Sequence, residues 1–98
     1  MTQTVSNIVK EQKADGSWSN PNLLDGLFSG KEDYLETLKK KYDPRIVITW
    51  LLMTWIERNH SGKEYILILR KAKAFVNQEL SKSNTDKAKF EEELEKAF

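Results

Sequence analysis

The feature that most constrains this chain is an uncharged apolar run, IVITWLLMTWI, at residues 46–56. It is too short to cross a bilayer, which takes about 20 residues of helix. Asp43 and Pro44 precede it as a favourable N-cap and first helical residue. Its β-branched residues would also suit a strand, but its length, its cap and the lack of alternation favour a helix over about residues 44–59. Because this helix is apolar nearly all round, other elements must cover it on most sides.

Helical spacing and helix-start signals recur on both sides of this central segment. S-x-x-E capping boxes begin at Ser29 and Ser61, and Asn20-Pro21 repeats the cap-then-proline start. Apart from the central one, the predicted helices cover about 3–13, 63–80 and 86–98, and two further helices are predicted to start at Asn20-Pro21 and at Ser29.

The fold class that follows is all-α, a compact single-domain bundle of four to six short helices around the central apolar helix (about 44–59). We assign residues 1–80 to a helical interaction domain. Residues 81–98 are assigned to an amphipathic C-terminal helix that packs on this domain or extends it.

The composition argues against several classes of function. Sixteen basic residues nearly balance 15 acidic ones, and a net charge of +1 gives no reason to expect a nucleic-acid partner. The chain has no cysteine, which excludes disulfides and cysteine-bound metals and suits a reducing, cytoplasmic location. The first residues lack the apolar core of a signal peptide, and we expect no membrane partner.

Candidate catalytic and metal-binding residues are few. His60 is the single histidine and stands in a predicted turn, with no second ligand at a metal-binding spacing. The carboxylates within residues 91–95 lie among lysines and are typical of a solvated helix face. Neither a phosphate-binding loop nor a nucleophile–base pattern occurs. We therefore predict that the protein is not an enzyme and uses no cofactor and no metal.

Two other functions are left open at this point. Trp18, Trp50 and Trp55 would surround a pocket if the chain were a small-ligand-binding domain or an enzyme fragment. Binding of a metabolite would then change the tryptophan fluorescence. The second alternative is a self-associating scaffold, whose mass in solution would rise with concentration.

The stretch EQKADGSW, at residues 11–18, combines a glutamine, an Asp-Gly turn and a tryptophan. A helix that ends near Gln12 leaves carbonyl groups unpaired, and a glutamine amide can donate to them. Gly16 lets the chain reverse, and Trp18 can fold back over the junction. We interpret Gln12, Asp15, Gly16 and Trp18 as a structural clasp that joins the first two helices, and not as a ligand site.

The spacing of Ile8, Gln12, Gly16 and Trp18 is similar to the QW motif of triterpene cyclases and related α/α toroids. In those proteins the motif recurs and staples helices together. It occurs once here, and the acidic catalytic motif of the cyclases is absent from the sequence. This resemblance therefore supports a structural role for the clasp.

A wider resemblance covers residues 5–78. The segments IVKEQKADGSW, NPNLLDGLF and VITWLLMTWIERNHSGKEYILILRKAKAFV resemble the C-terminal helical domain of intracellular proteins that combine a VIT domain with a von Willebrand A domain. They are also similar to the vault-interacting region of the vault poly(ADP-ribose) polymerase. Phe75 departs from the pattern, since a tryptophan is common there. The resemblance implies a non-catalytic domain that docks or targets its parent protein to a large assembly, with the major vault protein as the implied partner.

The last predicted helix carries a narrow apolar stripe, Phe90, Leu94 and Phe98. The stripe is narrow for a core helix and suits a groove on another protein. These three residues are our hypothesis for the partner-binding surface. The alternative is that the stripe packs on the domain itself.

Overall fold

The computed structural model describes residues 5–24, 27–28, 30–59 and 65–98. These residues form helices only, with no strand among them. In chain order the elements are α1 (Val5–Lys10), a 3-10 turn (Pro21–Leu24), α2 (Glu32–Lys41), α3 (Pro44–Asn59), α4 (Ile66–Lys82) and α5 (Lys87–Glu95). The prediction of a small all-α bundle is confirmed.

Helix α3 is the centre of the molecule, and its bounds agree with the predicted range. Asp43 starts the helix, because its carboxylate Oδ1 accepts a hydrogen bond from the backbone N–H of Arg45 at 2.9 Å. Ten of the 16 residues of α3 are buried. Helix α4 makes the most extensive contact with it, and α2 and the 3-10 turn cover other sides. The apolar helix is thus covered on most sides, as its sequence requires.

The described residues build one hydrophobic core around α3, and every other element contributes to it. The buried side chains from outside α3 are Ile8, Trp18, Leu23, Leu24, Phe28, Leu35, Leu38, Ala72, Phe75, Val76, Leu80, Phe90, Leu94 and Ala97. Each large side chain buried in this way contributes roughly 1.5–3 kcal/mol of transfer free energy. Coverage of α3 is therefore the main source of stability.

The N-terminal third has less helix than the sequence predicts. Helix α1 ends at Lys10 and not near residue 13. In the described residues, the second predicted helix is reduced to the 3-10 turn Pro21–Leu24. Short irregular segments around the clasp take the place of these helical turns.

The two predicted capping boxes begin at Ser29 and Ser61, and both serines lie outside the described residues. Helix α2 has Lys31 at its N-cap and α4 has Tyr65, and neither side chain makes a capping hydrogen bond. Among the described residues, α2 begins at Glu32 and α4 begins at Ile66.

The break between α4 and α5 falls inside the predicted SKSNT segment. Asn84 takes the left-handed conformation, with φ of 56°, which asparagine tolerates better than most residues. Asp86 then caps α5 by accepting a hydrogen bond from the backbone N–H of Lys89 at 3.3 Å. This tight connection returns α5 onto the core.

Candidate functional site

Gln12 ties the N-terminal segment to α4. Its side-chain Nε2 donates to the carbonyl of Gly16 at 3.1 Å and to the carbonyl of Ile68 at 3.0 Å. The first bond closes the local turn, and the second reaches the first turn of α4. The amide therefore uses both of its N–H donors inside the molecule.

Trp18 ties the same segment to α1 and α3. Its indole is fully buried, and Nε1 donates to the carbonyl of Ile8 at 2.6 Å. Its backbone N–H donates to the hydroxyl of Thr49 at 2.9 Å, and that hydroxyl donates back to the carbonyl of Trp18 at 3.3 Å. The clasp thus joins α1 to α3 and α4, whereas the sequence interpretation had it join the first two helices.

Gly16 lies directly against the backbone of α4. Its φ of +94° is in the region that favours glycine, and a Cβ built there would overlap the carbonyl of Lys71. Two independent constraints, backbone conformation and close approach, therefore require a glycine at this position.

Asp15 holds the turn from inside. Its carboxylate Oδ1 accepts from the backbone N–H of Ser17 at 2.9 Å and from the Ser17 hydroxyl at 2.6 Å. These bonds hold the pKa of Asp15 below its ordinary value, since they stabilise the charged form. All four clasp residues thus serve contacts within the chain, which is what a structural role requires.

The apolar stripe of α5 faces the core. Phe90 and Leu94 are both 0% exposed. The ring of Phe90 packs edge to face on Tyr42 and on Trp50, with centroid distances of 4.9 and 6.3 Å. The hypothesis that Phe90 and Leu94 form a partner-binding surface is therefore corrected, because the stripe packs on the domain itself.

Phe98, the third residue of the stripe, closes one end of the core. It is 40% exposed and packs edge to face on Phe28 at 5.1 Å. The guanidinium of Arg58 covers its ring at 4.5 Å and pairs with Glu95 at 2.5 Å. Of the three residues of the stripe, Phe98 alone keeps exposed surface that a partner could contact.

A polar cluster that the sequence did not reveal fastens α5 to α2. The carboxylate of Glu93 accepts from Lys41 Nζ at 2.5 Å and from the hydroxyl of Tyr42 at 2.8 Å. The hydroxyl of Tyr34 donates to the backbone carbonyl of Glu93 at 2.5 Å. Lys41 and Tyr42 lower the pKa of Glu93. Burial, together with the bond to Glu93, raises the pKa of Tyr42 to about 12.

The three tryptophans do not share a pocket in the described part of the chain. Trp18 and Trp50 belong to the core, and Trp55 is half-buried. Trp50 lines an open groove of about 200 Å³, and neither other tryptophan reaches that groove. The contacts thus give no support to a pocket built from all three indoles.

The described residues contain no cluster of side chains suited to binding a metal ion. No three carboxylate or imidazole side chains there lie close enough together to hold a metal ion. His60, the single histidine, lies outside them. Within the same ranges, no helix has the length and apolar content needed to cross a bilayer.

An apolar groove lies where the N-terminal segment meets the first turns of α4. Leu67 is 70% exposed and its neighbour Ile66 is 45% exposed. The groove has a volume of about 360 Å³ and is lined by Gln12, Leu67, Ile68, Arg70, Lys71 and Ala74. We call it the α4 groove. Its signal in the sequence is the run ILIL at 66–69, because four consecutive apolar residues on a helix cannot all face one core.

Comparison with known proteins does not identify the chain. No family model, no curated protein and no solved structure was found to match it. The resemblance to the tails of proteins with VIT and von Willebrand A domains therefore stays a prediction from the sequence.

Proposed function

We propose that this chain is a non-catalytic protein–protein interaction domain that docks its parent protein onto a larger assembly. The observation that carries the proposal is the α4 groove with Leu67 at its edge. A leucine that is 70% exposed beside an apolar groove gains free energy only when a partner covers it.

The roles of the clasp residues support the same proposal. Gln12, Gly16 and Trp18 make their polar contacts within the chain, so the motif that stands out in the sequence serves to present a surface. A docking domain needs a rigid surface of this kind and no reacting group.

The particular assembly is proposed from the resemblance. The tails that share Gln12, Asp15, Gly16 and Trp18 include the vault-interacting region of the vault poly(ADP-ribose) polymerase. We therefore propose the major vault protein as the first partner to test, and a cytoplasmic location for the encounter. The absence of cysteine suits that compartment.

The test is direct binding of the purified domain to purified major vault protein, measured by biolayer interferometry. Three forms are compared: the wild type, Leu67→Asp in the groove, and Lys87→Glu as a control at an exposed position of α5. We expect the wild type and the control to bind alike, and Leu67→Asp to lose at least about tenfold in affinity.

Circular dichroism must first show that the three forms have the same fold. If the wild type fails to bind, the vault proposal is wrong. If capture from a cell lysate then yields no partner that depends on Leu67, the docking proposal fails as well.

A further inference from the structure

The lining of the α4 groove follows one face of the helix. Leu67, Lys71 and Ala74 recur at helical spacing, and Arg70 stands beside them. From Leu67 to Ala74 the face is about 10 Å long, or two helical turns. Because no strand edge occurs in the described residues, addition of a peptide strand has no template there, and a groove of this length suits a short helix.

The charged side chains that line the groove are all positive. Its two charged lining residues, Arg70 and Lys71, are both cationic, and both are exposed. Among the described residues neither forms an ion pair with a carboxylate. Residues 66–74 of α4 include no acidic residue. The groove therefore offers apolar contact flanked by positive charge that no carboxylate of the described residues neutralises.

We propose that the α4 groove binds an acidic amphipathic helix of a partner protein, with leucine-like side chains against Leu67 and Ala74 and carboxylates against Arg70 and Lys71. The inference rests on the proposed docking function and specifies the chemistry of the partner. Complementary charge at the edge of an apolar contact steers association and sets the register of the bound helix.

A second copy of this chain is a poor occupant of the groove. A symmetric dimer through this face would set Arg70 and Lys71 of one copy against the same residues of the other. The acidic helix α5 cannot fill a neighbour's groove. Its apolar side chains Phe90 and Leu94 are buried in the core of its own domain.

The test uses two fluorescent synthetic helices of about 16 residues, a length at which an isolated helix begins to be stable. Both carry leucines on one face. The acidic probe has glutamates on the other face, and the basic probe has lysines at the same positions. Fluorescence anisotropy measures the affinity of the full chain for each probe at low and at physiological salt.

We expect the acidic probe to bind at least about tenfold more tightly than the basic one. Leu67→Asp should weaken its binding at least about tenfold, Arg70→Glu/Lys71→Glu should reverse the preference between probes, and the Lys87→Glu control should bind like the wild type. Backbone NMR shifts caused by the acidic probe should fall on residues 66–74 and around Gln12.

Equal affinity for the two probes, or shifts elsewhere on the chain, would overturn this proposal. So would Leu67-dependent dimerisation in analytical ultracentrifugation, or Leu67-dependent binding to phosphatidylserine vesicles without binding of the acidic probe. If the major vault protein binds through Leu67 but the acidic probe does not bind, the docking function stands and the acidic-helix inference alone fails.

Discussion

At the scale of single residues, Thr49 explains how an apolar helix can hold a polar motif. Its hydroxyl is buried on α3, where it accepts from the backbone N–H of Trp18 and donates to the carbonyl of the same residue. A buried backbone group left without a partner costs about 1–3 kcal/mol. One side-chain oxygen thus makes it possible for the irregular segment around Trp18 to lie against the core.

Replacing Thr49 with valine keeps the shape and removes the hydroxyl. We expect Thr49→Val to lower the free energy of unfolding by about 1–3 kcal/mol, since both Trp18 backbone groups lose their partner. Thr54→Val is the matched control, because Thr54 lies on the same helix and makes no such bond among the described contacts. Urea denaturation should show the control within about 0.5 kcal/mol of the wild type. Equal losses in the two variants would contradict this account.

The two glycines with positive φ provide a second comparison. Gly16→Ala meets both an unfavourable φ and the carbonyl of Lys71, whereas a Cβ at Gly30 meets open space at a φ of +83°. We expect Gly30→Ala to cost about 1–2 kcal/mol and Gly16→Ala clearly more, about 3 kcal/mol or beyond. Thermal and urea unfolding of the pair measure the difference. If Gly16→Ala lowered the free energy of unfolding less than Gly30→Ala, the backbone at Gly16 would not lie tightly against the Lys71 carbonyl of α4.

The sequence could single out the clasp residues but not their partners. An Asp-Gly turn and a nearby glutamine and tryptophan are local signals, so Gln12, Gly16 and Trp18 were identifiable. Their contacts with Thr49 and Ile68 cross separations of 31 and 56 residues. Such contacts depend on how the helices pack, and local pattern does not determine packing.

At the scale of elements, α3 was predictable and the role of α5 was not. Asp43-Pro44 and the uncharged run mark α3 by signals that need no neighbour. The stripe on α5 shows only that one face will be covered. Whether a partner or the chain's own core covers it depends on where the break at Asn84 directs the helix, and the sequence pattern is the same in both cases.

Leu94→Asp tests the packed position of α5. Because Leu94 is fully buried, the new carboxylate would lose its solvation without gaining a partner, and we expect the domain to be largely unfolded at 25 °C. Lys96→Asp, at an exposed position of the same segment, should leave the fold intact. Circular dichroism and NMR dispersion distinguish the two. A well-folded Leu94→Asp variant would show that α5 contributes little to the core.

At the scale of the whole molecule, the polar cluster around Glu93 links the pH response to helix packing. The lowered pKa of Glu93 means that its contribution to stability is present above pH 4.5 and is lost as the pH falls through the lowered pKa. Asp15, whose pKa is also lowered from its ordinary value of 3.8, likewise loses its contribution to stability as the pH falls. The raised pKa of Tyr42 has the opposite sign: its contribution is present below pH 10.0 and is lost as the pH rises towards about 12.

Two variants should separate the loss of stability in acid from the loss of stability in alkali. We expect Glu93→Gln to flatten the fall of the urea midpoint in acid, because glutamine cannot be protonated in that range. Tyr42→Phe should remove the tyrosinate absorbance change near pH 12. It should leave the loss of stability in acid that Asp15 causes. If the urea midpoint of Glu93→Gln falls in acid as steeply as that of the wild type, acid unfolding is caused by other carboxylates.

The all-α class and the central position of α3 followed from the sequence, whereas the exposed surface did not. Leu67 and Ile66 stand in the same apolar run as their half-buried neighbours Ile68 and Leu69. Which members of the run face solvent depends on the rotation of α4 against α3. That rotation is set by side-chain packing across the whole domain.

The long reach of the clasp has a consequence for the order of folding. The link from Gln12 to Ile68 closes a loop of 56 residues, whereas α3 and α4 are neighbours along the chain. Loop closure costs entropy before its contacts form, so we expect the pair α3–α4 to form first and the N-terminal segment to dock late. Trp18→Ala, which should cost about 3–5 kcal/mol, would then mainly accelerate unfolding and hardly slow refolding in stopped-flow experiments. The segment that carries the most recognisable residues of this chain would thus act as a latch on a core that has already assembled.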